Sequence, residues 1–437
     1  MVSSTISNKA FQPIDNAFLV LFRAIFGLLI MLECWGAIAT GWVKRAFIVP
    51  KWTFPFIDFA DVLHPLPGWG MYAYFVVMGG LGLLIFLGYQ YRSAMPAFAL
   101  LWAGVYLMQK THYNNHYYLL MLMSCLMCFV PAHARLSIDA KHNPDIRSNT
   151  CPKWCRFLFL GQMILVYTYG GIAKMYDDWW QLDAIAALML GKKNYWLVGE
   201  LLQTQWMHAF LAYGGLFFDL LISPLLLWKP SRKWAFYALI FFHLFNAAIF
   251  QVGIFPFLGI AMCLFYYPPD ALARFVPRWK IEATTVVWPW KKPVVVLLMV
   301  YLTVQALLPL RHHLFSGDVN ITNEGHRLAW RMMLRTRAGR ISMEVRVQGE
   351  EAKVLNLSEY LTLKQKGKVA THPDMLWQFV QNLEQDFDRH GKPNVDIYVT
   401  ESAMSLNGAD YKPLYQTNVN LADVPWHKFK TSDWILR

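Results

Sequence analysis

The sequence predicts an all-α polytopic membrane domain of about nine transmembrane helices (residues 1–310), followed by a small α+β domain outside the membrane (residues 311–437). Composition is the first reason: of 437 residues, 56% are apolar and only 16% charged, against roughly 25% charged in an ordinary soluble domain. Mean hydropathy is +0.29. The second is that apolar stretches recur at the length a helix needs to cross a bilayer. The third is a change of pattern after residue 310, from continuous apolar runs to period-2 and helical alternation.

The nine apolar segments are 17–40, 70–89, 94–110, 116–131, 156–175, 208–228, 234–251, 253–267 and 293–310. Only Gln251, Val252 and Gly253 separate the seventh from the eighth, so one of these two is open to a re-entrant reading. The polar N-terminus and the length of the first apolar segment argue against a cleaved signal peptide. The 19 tryptophans suit rings that anchor helices at bilayer interfaces.

Net charge is +12, from 40 Lys+Arg against 28 Asp+Glu, and +10 of it lies in residues 1–310. With the N-terminus inside, the inner loops carry 15 basic residues and the outer loops 7, the bias that positive-inside topology produces. Nine spans then put residues 311–437 outside. The expected location is a bacterial inner membrane, with a cytoplasmic N-terminus and an extracytoplasmic C-terminal domain. No Lys/Arg run forms a stripe, so nucleic acid is not expected as a partner.

Within residues 311–437, Ile341, Met343, Val345 and Val347 alternate as in a half-buried strand, and Val395, Ile397 and Val399 repeat the pattern. Between them, His372-Pro373-Asp374 opens a helix through Met375, Phe379, Leu383 and Phe387. The six cysteines, Cys34, Cys125, Cys128, Cys151, Cys155 and Cys263, do not suggest a disulfide framework. Cys125 and Cys128 read as buried small hydrophobes, since two thiols without further ligands make a poor metal site. No metal is expected.

Polar groups inside apolar spans are candidate functional positions. Lys174 closes the fifth span in VYTYGGIAKMYDDWW. It reads either as a lysine snorkelling to the interface or as a partly desolvated amine able to act as a base. Asn114, Asn115 and His116 stand at the start of the fourth span, as a helix cap or as site groups. His243 and Asn246 share a face of the seventh span, as interhelical hydrogen-bonding groups or as a cavity lining. The run from Arg311 to Arg331, with His312, His313, His326 and Arg327, begins the outer domain, as a solvated basic face or as a substrate contact. No helix carries the matching histidine pairs that haem ligation needs.

These clusters resemble the vitamin K-dependent gamma-glutamyl carboxylase family, in its bacterial form with an HTTM-type membrane domain. The resemblance runs from about Phe18 to Trp434. It includes PLPGWGMY at 65–72, Asn114-Asn115-His116-Tyr117, GQMILVYTYGGIAKMYDDW at 161–179, FHLFNAAIFQVGIFPF at 242–257 and GHRLAWRMM at 325–333. It implies an enzyme that couples oxygenation of vitamin K hydroquinone (or a related menaquinol) to its 2,3-epoxide with carboxylation of peptide glutamate, using O2 and CO2. In that family the lysine matching Lys174 is the base that deprotonates the hydroquinone. The resulting oxyanion reacts with O2 to give a stronger alkoxide base. That alkoxide removes the glutamate γ-proton, and the carbanion takes up CO2.

By the same resemblance His116 and Asn115 stabilise developing oxyanions, while His243 and Asn246 line the quinol cavity with Asn114 nearby. Arg327 and Arg331 are our candidates for receiving the glutamate carboxylate. The implied partners are the lipid bilayer, the quinol and a Glu-containing peptide or protein. Animal carboxylases continue into a longer β-rich C-terminal region, and residues 311–437 contain no cysteine to match their linkage to the membrane part. Peptide docking is therefore expected to be weak and independent of a propeptide. The alternatives are a quinol epoxidase without carboxylation, or a transporter or lipid-binding protein of the same fold.

The topology is checked by accessibility labelling of single cysteines introduced as Lys192→Cys and Gly349→Cys. Both are expected to react with an impermeant thiol reagent only from the side opposite the cytoplasm; reaction of both from the cytoplasmic side alone would overturn the orientation or the span number.

Overall fold

The computed structural model describes residues 4–59, 62–280 and 290–437. In chain order the principal helices of the membrane half are α1 (Ala17–Ala39), α2 (Gly70–Leu87), α3 (Tyr91–Met108), α4 (Asn115–Met127), α5 (Trp154–Ile172), α6 (Gln205–Leu227), α7 (Arg232–Phe250), α8 (Phe255–Met262) and α9 (Lys291–Leu307). The outer part holds α10 (Leu363–Thr371) and α11 (Pro373–Arg389), with strands β1 (Arg337–Arg346), β2 (Lys353–Val354) and β3 (Asp396–Leu406).

Among the described residues six helices are long and apolar enough to cross a membrane: α1, α2, α5, α6, α7, and α9 with its tighter extension to Leu314. The other three expected spans fall short of that measure. The 94–110 segment is α3, the 116–131 segment is the 13-residue α4, and the 253–267 segment is the eight-residue α8 with a tight turn after it. The helical expectation holds for all three, and the count of nine crossings does not follow from it.

Local chemistry explains the ends. Gly88 takes φ +64 after α2, the left-handed conformation that closes a helix most cheaply at glycine. The Asn114 side chain accepts from the Tyr117 backbone N–H at 2.7 Å and starts α4. Thr362 and Gln365 form a reciprocal capping box on α10. α1 and α2 meet backbone to backbone: a Cβ on Gly27 would lie 2.3 Å from the Phe86 nitrogen, which is why small residues sit where membrane helices cross closely. Arg23, inside α1, donates from Nη1 and Nη2 to the Ile85 and Leu136 carbonyls at 3.2 and 2.6 Å.

The outer part is a three-stranded antiparallel sheet in the order β2-β1-β3, with Met343 opposite Val399 and Val345 opposite Ile397. These residues are buried under Met375, Leu376, Phe379 and Leu383 of α11, so both alternating runs read from the sequence face one core. Phe54, from the loop after α1, completes that core. Cys125 departs from expectation. It is exposed on the protein surface and Cys128 is half-buried.

A strap, residues 325–334, fastens the outer part to the membrane half. Leu328, Trp330 and Met333 have φ of +60, +54 and +51, conformations that cost ~1–3 kcal/mol each unless the surroundings enforce them. The enforcement is visible. The Leu328 N–H donates to Tyr113 Oη at 2.6 Å, Asn115 Nδ2 donates to the Arg331 carbonyl at 2.8 Å, and Trp330 stacks on Tyr118 at 4.8 Å. Tyr176 Oη donates to the Leu334 carbonyl.

A second tie is ionic. Arg327 Nε and Nη2 donate to the two Asp374 carboxylate oxygens at 3.1 and 3.2 Å, and Lys110 Nζ lies 3.0 Å from Oδ2. Burial alone would raise the Asp374 carboxyl, but Arg327 and Lys110 outweigh it and hold the group well below the usual carboxylate range. A depressed acid contributes its full stability above its unfolded value near pH ~4 and loses it as pH falls toward the folded value. Lowering the pH from 7 to 5 should therefore leave this tie intact. Asp374→Ala strands two buried cations and should cost about 3–5 kcal/mol, read as a fall of the outer domain's unfolding temperature; an unchanged midpoint counts against the tie.

Candidate active site

α5 supplies the first wall of the site. Tyr167, Gly170 and Gly171 fall on one face at helical spacing, with Lys174 in the turn just past the helix end, and the face meets α6. A Cβ on Gly171 would lie 2.6 Å from Leu220 Cδ2, and one on Gly170 would lie 3.3 Å from Asp219 Oδ2. The missing side chains let the two helices approach, and the approach brings Lys174 against Asp219 in a buried ion pair. Lys174 Nζ also donates to the Gly170 carbonyl at 3.1 Å and lies 5.6 Å from the Trp179 ring centre. Of the two sequence readings, the lysine does not snorkel to the interface. It is 6% exposed.

This pair borders a cavity of about 490 Å³ between α5, α6, α7, α8 and the start of α4, within the size range of small-molecule sites. Met332 and Met333 of the strap close one side. The lining is overwhelmingly apolar. Its polar groups include the Lys174–Asp219 pair and Tyr167, whose Oη lies 3.1 Å from His243 Nε2; His116 and Asn246 also line the cavity. His243 reaches its position because α8 has Gly259 beside it; a Cβ there would lie 2.3 Å from the imidazole Cε1. His116 rests 5.0 Å from the Phe255 ring. Phe218 and Phe242 stack at 3.8 Å along the same wall.

The structure thus gathers Lys174, His116, His243 and Asn246, from three separate stretches of sequence, around one space. Other candidates lie elsewhere. Asn114 is occupied as the α4 cap, and Asn115 accepts from Tyr113 Oη at 2.9 Å while holding the strap. Arg327 is committed to Asp374 and lines a second cavity of about 340 Å³ at the junction with the outer part. Arg331 donates to Asn320 Oδ1 at 2.8 Å. Asp219 and Tyr167 had not been singled out, although Asp219 carried a signal: it is the lone acid in the 23-residue apolar α6. Tyr167 carried none, since tyrosine is common in such helices. Among the described residues no group of three His, Cys, Asp or Glu is placed to hold a metal ion.

Helices long enough to cross a membrane, a buried ionic pair beside an apolar cavity and a strapped-on α+β domain define an integral membrane protein. Residues 11–270 match the HTTM domain model, and residues 290–437 match the model of the vitamin K-dependent gamma-carboxylase lumenal domain. The chain belongs to the vitamin K-dependent gamma-carboxylase family. No solved structure matches it.

Proposed function

We propose that this protein is a membrane enzyme that oxygenates a hydroquinone, vitamin K hydroquinone or a related menaquinol, to its 2,3-epoxide and couples that reaction to carboxylation of a peptide glutamate, consuming O2 and CO2. The observation that carries the reading is one apolar cavity lined by Lys174, His116, His243 and Asn246 together.

An ammonium paired with a carboxylate has no lone pair to accept a proton. Lys174 becomes a base when its own proton passes to Asp219, leaving a neutral amine beside a neutral acid. An apolar cavity favours that uncharged pair far more than water does. The amine then takes the proton of a quinol hydroxyl: the O–H bond breaks, an N–H bond forms, and the ammonium stays beside the charged oxygen. At the far end His243, Tyr167 and His116 can hold the second oxygen and stabilise developing charge in a low-dielectric site. The aromatic wall of Phe218, Phe242 and Phe255 keeps water from quenching the reaction. The quinol itself supplies, on reaction with O2, the stronger base that the glutamate γ-proton requires.

In this reading the N-terminus is cytoplasmic, and residues 311–437 form the extracytoplasmic domain that receives the peptide. One observation favours epoxidation without efficient carboxylation: Arg327 is already paired with Asp374, and Arg331 is engaged by Asn320.

Lys174→Ala should abolish epoxide formation while leaving quinol binding largely intact, and a small exogenous amine should restore part of the turnover. Normal epoxidation by the variant without added amine would remove Lys174 from the mechanism. For coupling, the wild-type protein should form epoxide readily and incorporate labelled CO2 only slowly into a short Glu-rich peptide. Arg331→Ala should depress the label more than the epoxide. Epoxide with no label at saturating peptide and bicarbonate would leave a quinol epoxidase.

A further inference from the structure

Away from the cavity, the seam between the membrane half and the outer part concentrates positive charge. From the membrane half come Arg45, Lys110 and His112; from the outer part come Arg327, Lys364, Lys368 and His372. Lys364, Lys368 and His372 follow at i, i+4 and i+8, so α10 turns one basic face toward the seam. The helix is held there by Gln365 Nε2, which donates to the Trp52 carbonyl at 2.7 Å. Lys364 Nζ reaches across to His112 Nδ1 at 2.9 Å, and the His112 ring is braced against Trp42 at 5.4 Å. Lys368 Nζ lies 3.4 Å from His372 Nε2.

Asp374 is the only carboxylate ion-paired within this group among the described residues, and Arg327 and Lys110 already share it. Arg45, Lys364 and Lys368 take part in no ion pair among the described residues. Like charges facing each other across an interface repel unless something neutralises them. The cost registers on the groups themselves. Burial, followed by Arg327 and Lys364, pushes the Lys368 ammonium down to about 7; burial, followed by Lys364 and Lys368, pushes His112 down to about 3.

We propose that this seam is a binding site for a phosphate-type oxyanion, free or carried by a lipid headgroup, held by Lys364 and Lys368 of α10 together with Arg45 and His112 of the membrane half. Two ammonium groups and a guanidinium without carboxylate partners supply the charge, and the imidazole supplies a further nitrogen. The exposed apolar neighbours of two of the cations, Val49 after Arg45 and Leu363 (87% exposed) before Lys364, are what a headgroup site at a bilayer surface would show. The anion would bridge the two halves beside the Asp374 tie.

The test is thermal unfolding of the full-length protein, delipidated in detergent, in sodium phosphate against sodium chloride at equal ionic strength. Phosphate should raise the midpoint by about 2 °C or more. The Lys364→Ala/Lys368→Ala double variant should lose that response, and in chloride it should melt no lower than wild type because repulsion has been relieved. Should the double variant not fold, Lys364→Ala alone, at an exposed position, should still diminish the response. In a second arm, added phosphatidic acid is compared with phosphatidylcholine. If the headgroup is the natural source, phosphatidic acid alone produces the rise and free phosphate then adds nothing. Equal midpoints in all conditions, or an undiminished phosphate response in the variants, overturns the proposal.

Discussion

An ammonium and a carboxylate can remain inside an apolar wall only while they touch, because either one alone would carry an uncompensated desolvation cost of several kcal/mol. Lys174 and Asp219 meet that condition through the crossing of α5 and α6, and much else in the membrane half follows from it. Gly170 and Gly171 have no side chains because Asp219 and Leu220 occupy that space. Trp179 covers the ammonium and is itself tied to the Ala212 carbonyl at 3.1 Å. With the pair fixed at one end of α5, Tyr167 lies two turns away and takes His243 as its partner. Both pairs line the cavity.

The outer part depends on that same wall. Its strap crosses the mouth of the cavity with Met332 and Met333 turned inward, while Trp330 sinks into the membrane core and Leu328 hangs from Tyr113. Three left-handed residues in six positions are sustainable only because every turn of the strap has an anchor in the other half. The two family segments are thus one mechanical unit: α4 presents His116 to the cavity and, one residue earlier, uses Asn115 to hold the strap.

Periodicity and composition were sufficient for the helices and strands themselves. Helices stand at all nine apolar segments, and the alternation around Met343–Val347 and Val395–Val399 places those side chains in one core, since a strand's two faces are set by neighbouring residues alone. The choice of Lys174, His116, His243 and Asn246 was also legible, because a polar group in an apolar span is conspicuous without knowledge of its neighbours. The number of crossings was less so. Length and hydropathy do not distinguish a short helix packed on others, such as α8, from one that traverses the bilayer.

Partnership was decided by the tertiary structure. Asp219 becomes meaningful only beside Lys174, 45 residues away, and Arg327 ceases to be a free guanidinium only because α11 brings Asp374 to it. Asn114 and Asn115 are adjacent and chemically identical, yet one caps a helix and the other holds a strap. The sequence by itself determined which residues would be costly to bury. Which groups offset that cost depended on how the helices cross, and crossing is set by the mutual fit of side chains and glycines far apart in the chain, a property no local window contains.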